Sequence, residues 1–478
     1  LFAAFLLSPA VLLARELPPV VPPPKPVTLR LPSIKTLPNG LRVVVIERHT
    51  LPLVTLRLVV KAGSEADPAD RPGTAQLVAS LLNQGTGRRS AGDVAEAIDA
   101  AGGTIDTGAE WDSSFAALSV LGDHAELAFD LLADMVIHPA FAEAEVERKR
   151  KQTLAALEVA RDDPAYIADT TFRSVLFSGT SYGHPEDGTR DAVARLRAQD
   201  LRNFHSRYYL PSNSVLAVVG DVTAEAALDQ ARKFFGGWED RPVSPSPTAS
   251  FPGPASREVV VIDKPDAVQT EIRIGSLGVP RDSPEFYALS AANQILGGPA
   301  ENRLFKSLRS REGLTYGASS ELICHQHLGS WVAKTFTRTP ETVKTVQMAL
   351  DQIKRLHNHS ITQDELDRAK GYLIGHLALE FETSEGIATQ FLDLLLHNLP
   401  LDYWNRFPER IDALTPEDVW AAARQYLDPD RSVVVLVGDA AGFKKDVRKL
   451  GPTRVIPLEN LDFASASLEH ARSAAGKR

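Results

Sequence analysis

Within the segment LICHQHLG (residues 322–329), one thiol and two imidazoles stand within four positions: Cys324, His325 and His327. Those are ligand types that take zinc or copper. The segment also alternates as a strand does, and on a strand Cys324 faces one side while His325 and His327 face the other. Half-buried strand positions are therefore the first reading, with an adventitious metal site as the alternative. His184 sits in the Gly/Pro loop HPEDGT (residues 184–189), where stabilising the loop comes before ligation. Cys324 is the single cysteine, which excludes an internal disulfide and disfavours a Cys-built zinc site.

The elements that must position such groups follow from length and pattern. A chain of 478 residues is long for one hydrophobic core and implies two domains or more. With 44% hydrophobic and 24% charged residues it falls in the ordinary globular range. The net charge of -9, from 61 acidic against 52 basic residues with no long basic run, argues against nucleic acid as a partner. Residues 1–14, LFAAFLLSPAVLLA, form an apolar block followed by a proline-rich stretch to residue 26. The block is shorter than the roughly 20 residues of a spanning helix, so it reads as the apolar region of an export signal. A retained membrane anchor is the alternative, and the prolines act as a semi-extended tether. The expected location is exported: periplasm or cell envelope.

The chain repeats itself. Residues 196–221, LRAQDLRNFHSRYYLPSNSVLAVVGD, align with residues 414–439, LTPEDVWAAARQYLDPDRSVVVLVGD, with Gly220 facing Gly438. Leu196, Asp200, Tyr208, Pro211, Ser214, Val219 and Asp221 face Leu414, Asp418, Tyr426, Pro429, Ser432, Val437 and Asp439. Each copy reads as an amphipathic helix, a proline-marked turn and a buried strand. Upstream, residues 41–63 resemble residues 259–279, two β-rich runs joined by a turn, each followed by a helical pattern at 73–82 and 284–296. The fold class expected is α+β, two duplicated domains, each a mixed or antiparallel sheet with helices on one face. The boundaries expected are 1–30 for signal or anchor and tether, 31–239 for the N-terminal domain, 240–257 for a Pro/Ser-rich linker, 258–455 for the C-terminal domain and 456–478 for a tail.

The duplicated unit, GTAQLVAS after two strands, the HPEDGT loop and LFKSLRSREGLTY (residues 304–316) together resemble the pitrilysin/insulinase family of zinc peptidases, to which the processing peptidases and paired-subunit bacterial peptidases belong. The resemblance runs over roughly residues 31–455. It implies that the chain forms one half of a clamshell. Active members carry H-x-x-E-H on the helix after the second strand, two imidazoles on one helix face for zinc and a Glu for the attacking water. Here the three positions hold Gln76, Ala79 and Ser80. A neutral amide is a poor zinc ligand, a methyl carries no proton, and a hydroxyl replaces neither imidazole nor thiolate. The family's third ligand, a Glu, aligns with Ala156; Glu158 is two residues on, about 200° around the helix, and faces away.

The resemblance also implies an Arg and a Tyr seven residues apart that reach from the second domain toward substrate. Arg309 and Tyr316 have that spacing, and Arg311 is the rival donor. Guanidinium and phenol can donate to a peptide carbonyl or a tetrahedral oxyanion without belonging to the chain that holds the metal. Gly297, Gly298 and Pro299 precede them as a short turn, read equally as a plain helix cap. The expected function is therefore the zinc-less subunit of an exported heterodimeric metallopeptidase. It would be inactive alone, bind no cofactor itself, and take unfolded peptides in a chamber closed by a zinc-bearing homologous partner. The alternative is a non-catalytic peptide-binding or scaffold protein of the cell envelope.

Overall fold

The computed structural model describes residues 28–243, 253–299 and 302–470. The apolar block and proline-rich stretch (1–27) and the middle of the Pro/Ser-rich linker (244–252) lie outside the described residues. Runs such as RVVVIE and SVLAVVG are apolar and Val-rich almost from end to end, as strands covered on both faces require. The first sheet contains β1 (Ser33–Thr36), β2 (Arg42–Glu47), β3 (Leu53–Val60), β4 (Thr104–Ala109), β5 (Ser114–Leu121) and β6 (Ser214–Gly220). Their order is β1-β2-β6-β3-β5-β4. The second holds β7 (Glu258–Asp263), β8 (Gln269–Leu277), β9 (Ala318–Cys324), β10 (Gly329–Arg338), β11 (Val433–Gly438) and β12 (Thr453–Pro457), in the order β12-β7-β11-β8-β10-β9. The two orders superimpose strand for strand except at β1 and β12. The first sheet has one parallel pair, β2 with β6, among antiparallel neighbours, and the second has the matching pair, β7 with β11, extended by β12, which also runs parallel to β7. The fold is α+β and duplicated.

Alternation along the strands sorts residues into two cores per sheet. Val43, Val45, Leu56, Leu58, Leu216 and Val218 turn toward helices of their own half. Val44, Ile46, Val215, Ala217 and Val219 turn the other way, onto residues of the second half. The helix that covers them is Ser384–Leu396, through Ile387, Ala388, Phe391 and Leu392. The exchange is mutual: Pro164–Leu176, from the first half, lays Ile167, Ala168, Phe172 and Leu176 on Val260, Ile262, Val433, Val435 and Val437. Within each half the helices thus lie on one face of the sheet, and the opposite face is covered by a helix lent by the other half. Burying Ile167, Phe172 and Leu176 stabilises this contact by roughly 1.5–3 kcal/mol each. Residues 458–470 continue from β12 and place Leu461 and Leu468 in the same core.

Candidate functional site

The short helix Thr74–Ala79 carries the motif positions. Its start is fixed by Asp67, whose carboxylate accepts from the Gly73 N–H at 2.6 Å and the Ala75 N–H at 2.7 Å. Gly73 has φ of 93°, and a Cβ there would meet the Asp187 carbonyl oxygen at 2.8 Å, so this turn must be glycine to let the HPEDGT loop approach. Gln76 accepts from the Ala109 N–H at 2.9 Å through Oε1, while its Nε2 lies 3.5 Å from Asp187 Oδ1. Ala79 is wholly buried in the first core. Ser80 donates to the Leu77 carbonyl at 3.0 Å. The residues present do not fit a zinc ion: the amide is engaged, the methyl is packed, and the hydroxyl serves its own backbone. Ala156 is exposed on the helix Glu143–Ala160, and Glu158 pairs with Arg190 at 3.2 Å. Among the described residues no group of three or more His, Cys, Asp or Glu side chains is arranged to hold a metal ion.

Arg309 and Tyr316 lie in the second half, on and just after the segment Lys306–Arg311. A single wide turn of π-helix, Lys306–Arg311, carries Arg309; such turns recur at functional sites because they re-aim a side chain. The guanidinium carbon stands 4.8 Å from the Phe305 ring centre and 4.4 Å from that of Tyr316. These stacked contacts hold the group without neutralising it. Among the described residues Arg309 has no ion pair, and Glu312, the obvious carboxylate, is taken by Lys344 at 2.9 Å. Tyr316 is 75% exposed, an unusual fate for a large ring. Arg311 is exposed and, among the described residues, makes no such stack.

The structure corrects the reading of LICHQHLG. β9 ends at Cys324, and residues 325–328 form the turn into β10, with the His325 N–H donating to the Leu328 carbonyl at 2.8 Å. Strand alternation therefore stops before the histidines, and Cys324 and His325 line the same cavity instead of opposite faces. That cavity, about 320 Å³, lies on the seam between the halves, bounded by Arg57, Glu110 and Glu186 from one and by Asp393 and His397 from the other. Burial pushes the Cys324 thiol up to about 12, so it stays protonated and is no nucleophile. Burial, opposed by Arg173 and reinforced by Asp187, Glu110 and Asp112, pushes the Glu186 carboxyl up to about 7.

Sequence reasoning missed this seam. Asp112 accepts from the Gln326 N–H at 3.0 Å, lies 3.5 Å from His325 Nδ1, and bonds the Tyr182 hydroxyl at 2.5 Å. His325 stacks on Tyr182 with ring centres 5.0 Å apart. Nearby, Arg281 reaches Asp393 at 3.1 Å and Tyr403 at 3.2 Å, and Asp393 pairs with His397 at 3.0 Å. Apart from Asp393 and His397, four residues apart at the end of one helix, these partners are distant in sequence, and no local spacing announces them. His184 holds its loop as expected, its ring nitrogens 2.9 Å from the Pro185 carbonyl and 3.0 Å from that of Ser64. The sequence also holds a G-x-S-x-G pattern, GTSYG at 179–183. Ser181 follows a helix in a turn rather than a strand, so the strained elbow that activates such a serine is absent there.

Residues 42–186 match the family described as insulinase (peptidase family M16), and residues 195–373 match the peptidase M16 inactive domain. An uncharacterized zinc protease of Mycobacterium leprae is 30% identical over 406 residues, covering 84% of this chain and 90% of that protein. A Helicobacter pylori protein described as a non-peptidase homologue, YmxG, is 23% identical over 378 residues, covering 78% and 86%. The crystal structure of a peptidase M16 inactive domain from Pseudomonas fluorescens superimposes with a TM-score of 0.80 at 30% identity, covering 85% of this chain and 97% of that one.

Proposed function

The chain belongs to the insulinase (M16) peptidase family, and from that premise we propose that it is the zinc-less subunit of an exported heterodimeric metallopeptidase. A zinc-bearing homologue supplies the metal, and this chain supplies Arg309, Tyr316 and one wall of a chamber for unfolded peptides. The observation that carries the proposal is the stack of Phe305, Arg309 and Tyr316. It keeps a permanently charged donor ordered, unpaired and half-exposed in a chain whose own motif positions, Gln76, Ala79, Ser80 and Ala156, are filled by groups that cannot take zinc. Donors of this kind stabilise a developing oxyanion wherever the metal is anchored.

The test is turnover of an unfolded peptide by the purified chain alone and mixed with its zinc-bearing homologue. Activity is expected only in the mixture, and Arg309→Ala should reduce it by roughly 10²–10³-fold. An Arg309→Ala mixture as active as wild type would remove the donor role. A second reading, a non-catalytic peptide-binding or scaffold protein of the cell envelope, is favoured by the engagement of Gln76 with Ala109, which closes the motif helix onto the sheet. It predicts peptide binding without turnover in any pairing.

A further inference from the structure

We infer that Gln76 is an internal competitor for the open edge of the first sheet, its side-chain amide occupying the hydrogen-bonding place that an added peptide strand would take at Ala109. The inference rests on the reading that this chain binds extended peptides, and it concerns where on the first half they can pair.

Among the described residues β4 is the outermost strand of its sheet and pairs only with β5. Ala109 faces Ser114 in the register, and the next residue, Glu110, donates its N–H to Ser113 at 2.7 Å across the turn. In an antiparallel ladder the facing pairs alternate, so the backbone groups of Ile105, Thr107 and Ala109 point away from β5. Such a row is a ready template for another strand. The N–H groups of Ile105 and Thr107 have no partner among the described residues, whereas that of Ala109 ends on Gln76 Oε1 at 2.9 Å.

The occupant has the chemistry of what it excludes. A primary amide presents the same carbonyl acceptor and N–H donor as a peptide group. Gln76 is also held in place: Asp67 fixes the start of its helix, and Nε2 lies toward Asp187. In the second half the corresponding edge strand, β9, is gripped by an amide as well. There Asn293 Nδ2 donates to the Ser320 carbonyl at 3.2 Å, and the Ser320 hydroxyl donates to Asn293 Oδ1 at 2.7 Å. A rival account makes Gln76 a structural pin alone, and the two accounts predict opposite changes in affinity.

The experiment is fluorescence anisotropy of an uncharged, fluorescein-labelled Ala/Thr peptide on the full chain, together with amide hydrogen exchange. Gln76→Ala should tighten binding roughly 2- to 12-fold, the value of one freed hydrogen bond, and speed exchange at Ala109 in the unliganded protein. Peptide should then protect Ile105, Thr107 and Ala109. Gln76→Glu keeps an acceptor at Ala109 and should bind no tighter than wild type. Unchanged or weaker binding by Gln76→Ala, a lower melting temperature without gain in affinity, or no binding by either protein overturns the inference. Turnover with a zinc-bearing partner is a separate readout, so the subunit proposal stands or falls independently of this result.

Discussion

At the scale of single residues, the positions read from the sequence as those of the metal motif hold groups with other employment. Ala79 is packed in the core, so restoring a carboxylate there puts an unpartnered charge into a dry site. We predict that the triple change Gln76→His, Ala79→Glu and Ser80→His lowers stability by about 2–4 kcal/mol and fails to bind stoichiometric zinc, because Ala156 offers no third ligand. Denaturant unfolding and metal analysis of the purified variant check both parts. Zinc at one equivalent would mean that the surroundings still remember the metal. The residue types at these positions were legible in the sequence, since H-x-x-E-H is a local pattern and Gln76, Ala79 and Ser80 are read directly against it. The Phe305 side of the Arg309 stack was not, because a π-turn leaves no signature in spacing. Phe305→Leu removes one ring from Arg309 and should weaken mixed-subunit turnover several-fold, while Phe305→Trp, which keeps a ring face, should restore much of it. Equal activity in both variants would show that the ring does not position the guanidinium.

At the scale of elements, the crossing helices are fastened by buried arginines in matching places on the two sheets. Arg273 on β8 meets Asp169 of Pro164–Leu176 at 2.7 Å, and Arg57 on β3 lies 3.6 Å from Glu385 of Ser384–Leu396. Arg273 also holds Glu271 at 2.8 Å, and Arg57 stands 4.0 Å over the Phe115 ring. Asp169→Ala should cost about 1.5–3 kcal/mol, because it strips a charged hydrogen bond from a guanidinium that is 4% exposed. Glu385→Ala should cost less than half of that, since its carboxylate is 60% exposed and the pair is longer. Chemical denaturation of the two single variants orders them, and the reverse order would contradict this account. Strand and helix periods predicted the duplicated elements well, because 2.0 and 3.6 are written in neighbouring residues. The exchange of helices between halves was not predictable, because Pro164–Leu176 is amphipathic in the same way whichever sheet it covers. Alternation was carried past the end of β9 at Cys324 as far as His327, where a four-residue turn mimics a strand.

At the scale of the whole molecule, neither half can complete its core alone. Calorimetry should therefore give one unfolding transition, and two well-separated transitions would break the picture of mutual cover. Stability should also fall on both sides of neutrality. Against the cost of burial, Arg303 at 2.8 Å and the Thr362 backbone hold Glu365 at about 2, below its ordinary 4.5. A carboxylate lowered on folding contributes stability above its unfolded value, and that contribution is lost as pH drops from 4.5 toward 2. His397 behaves oppositely: against burial, Asp393 raises it above its ordinary 6.5, so its contribution is complete below that value and is lost as pH rises through the folded one. Melting temperature against pH should show both limbs, and His397→Gln should flatten the alkaline one. The lent helices carry one more consequence. A single ancestral copy with this topology would have left half its sheet bare, so it could persist only as a pair of identical chains embracing each other. Joining two such copies would turn an association that depends on concentration into one that does not, and would free each half to diverge. Cutting the chain between residues 243 and 253 and producing the fragments together should recover the native spectrum, while either fragment alone should aggregate.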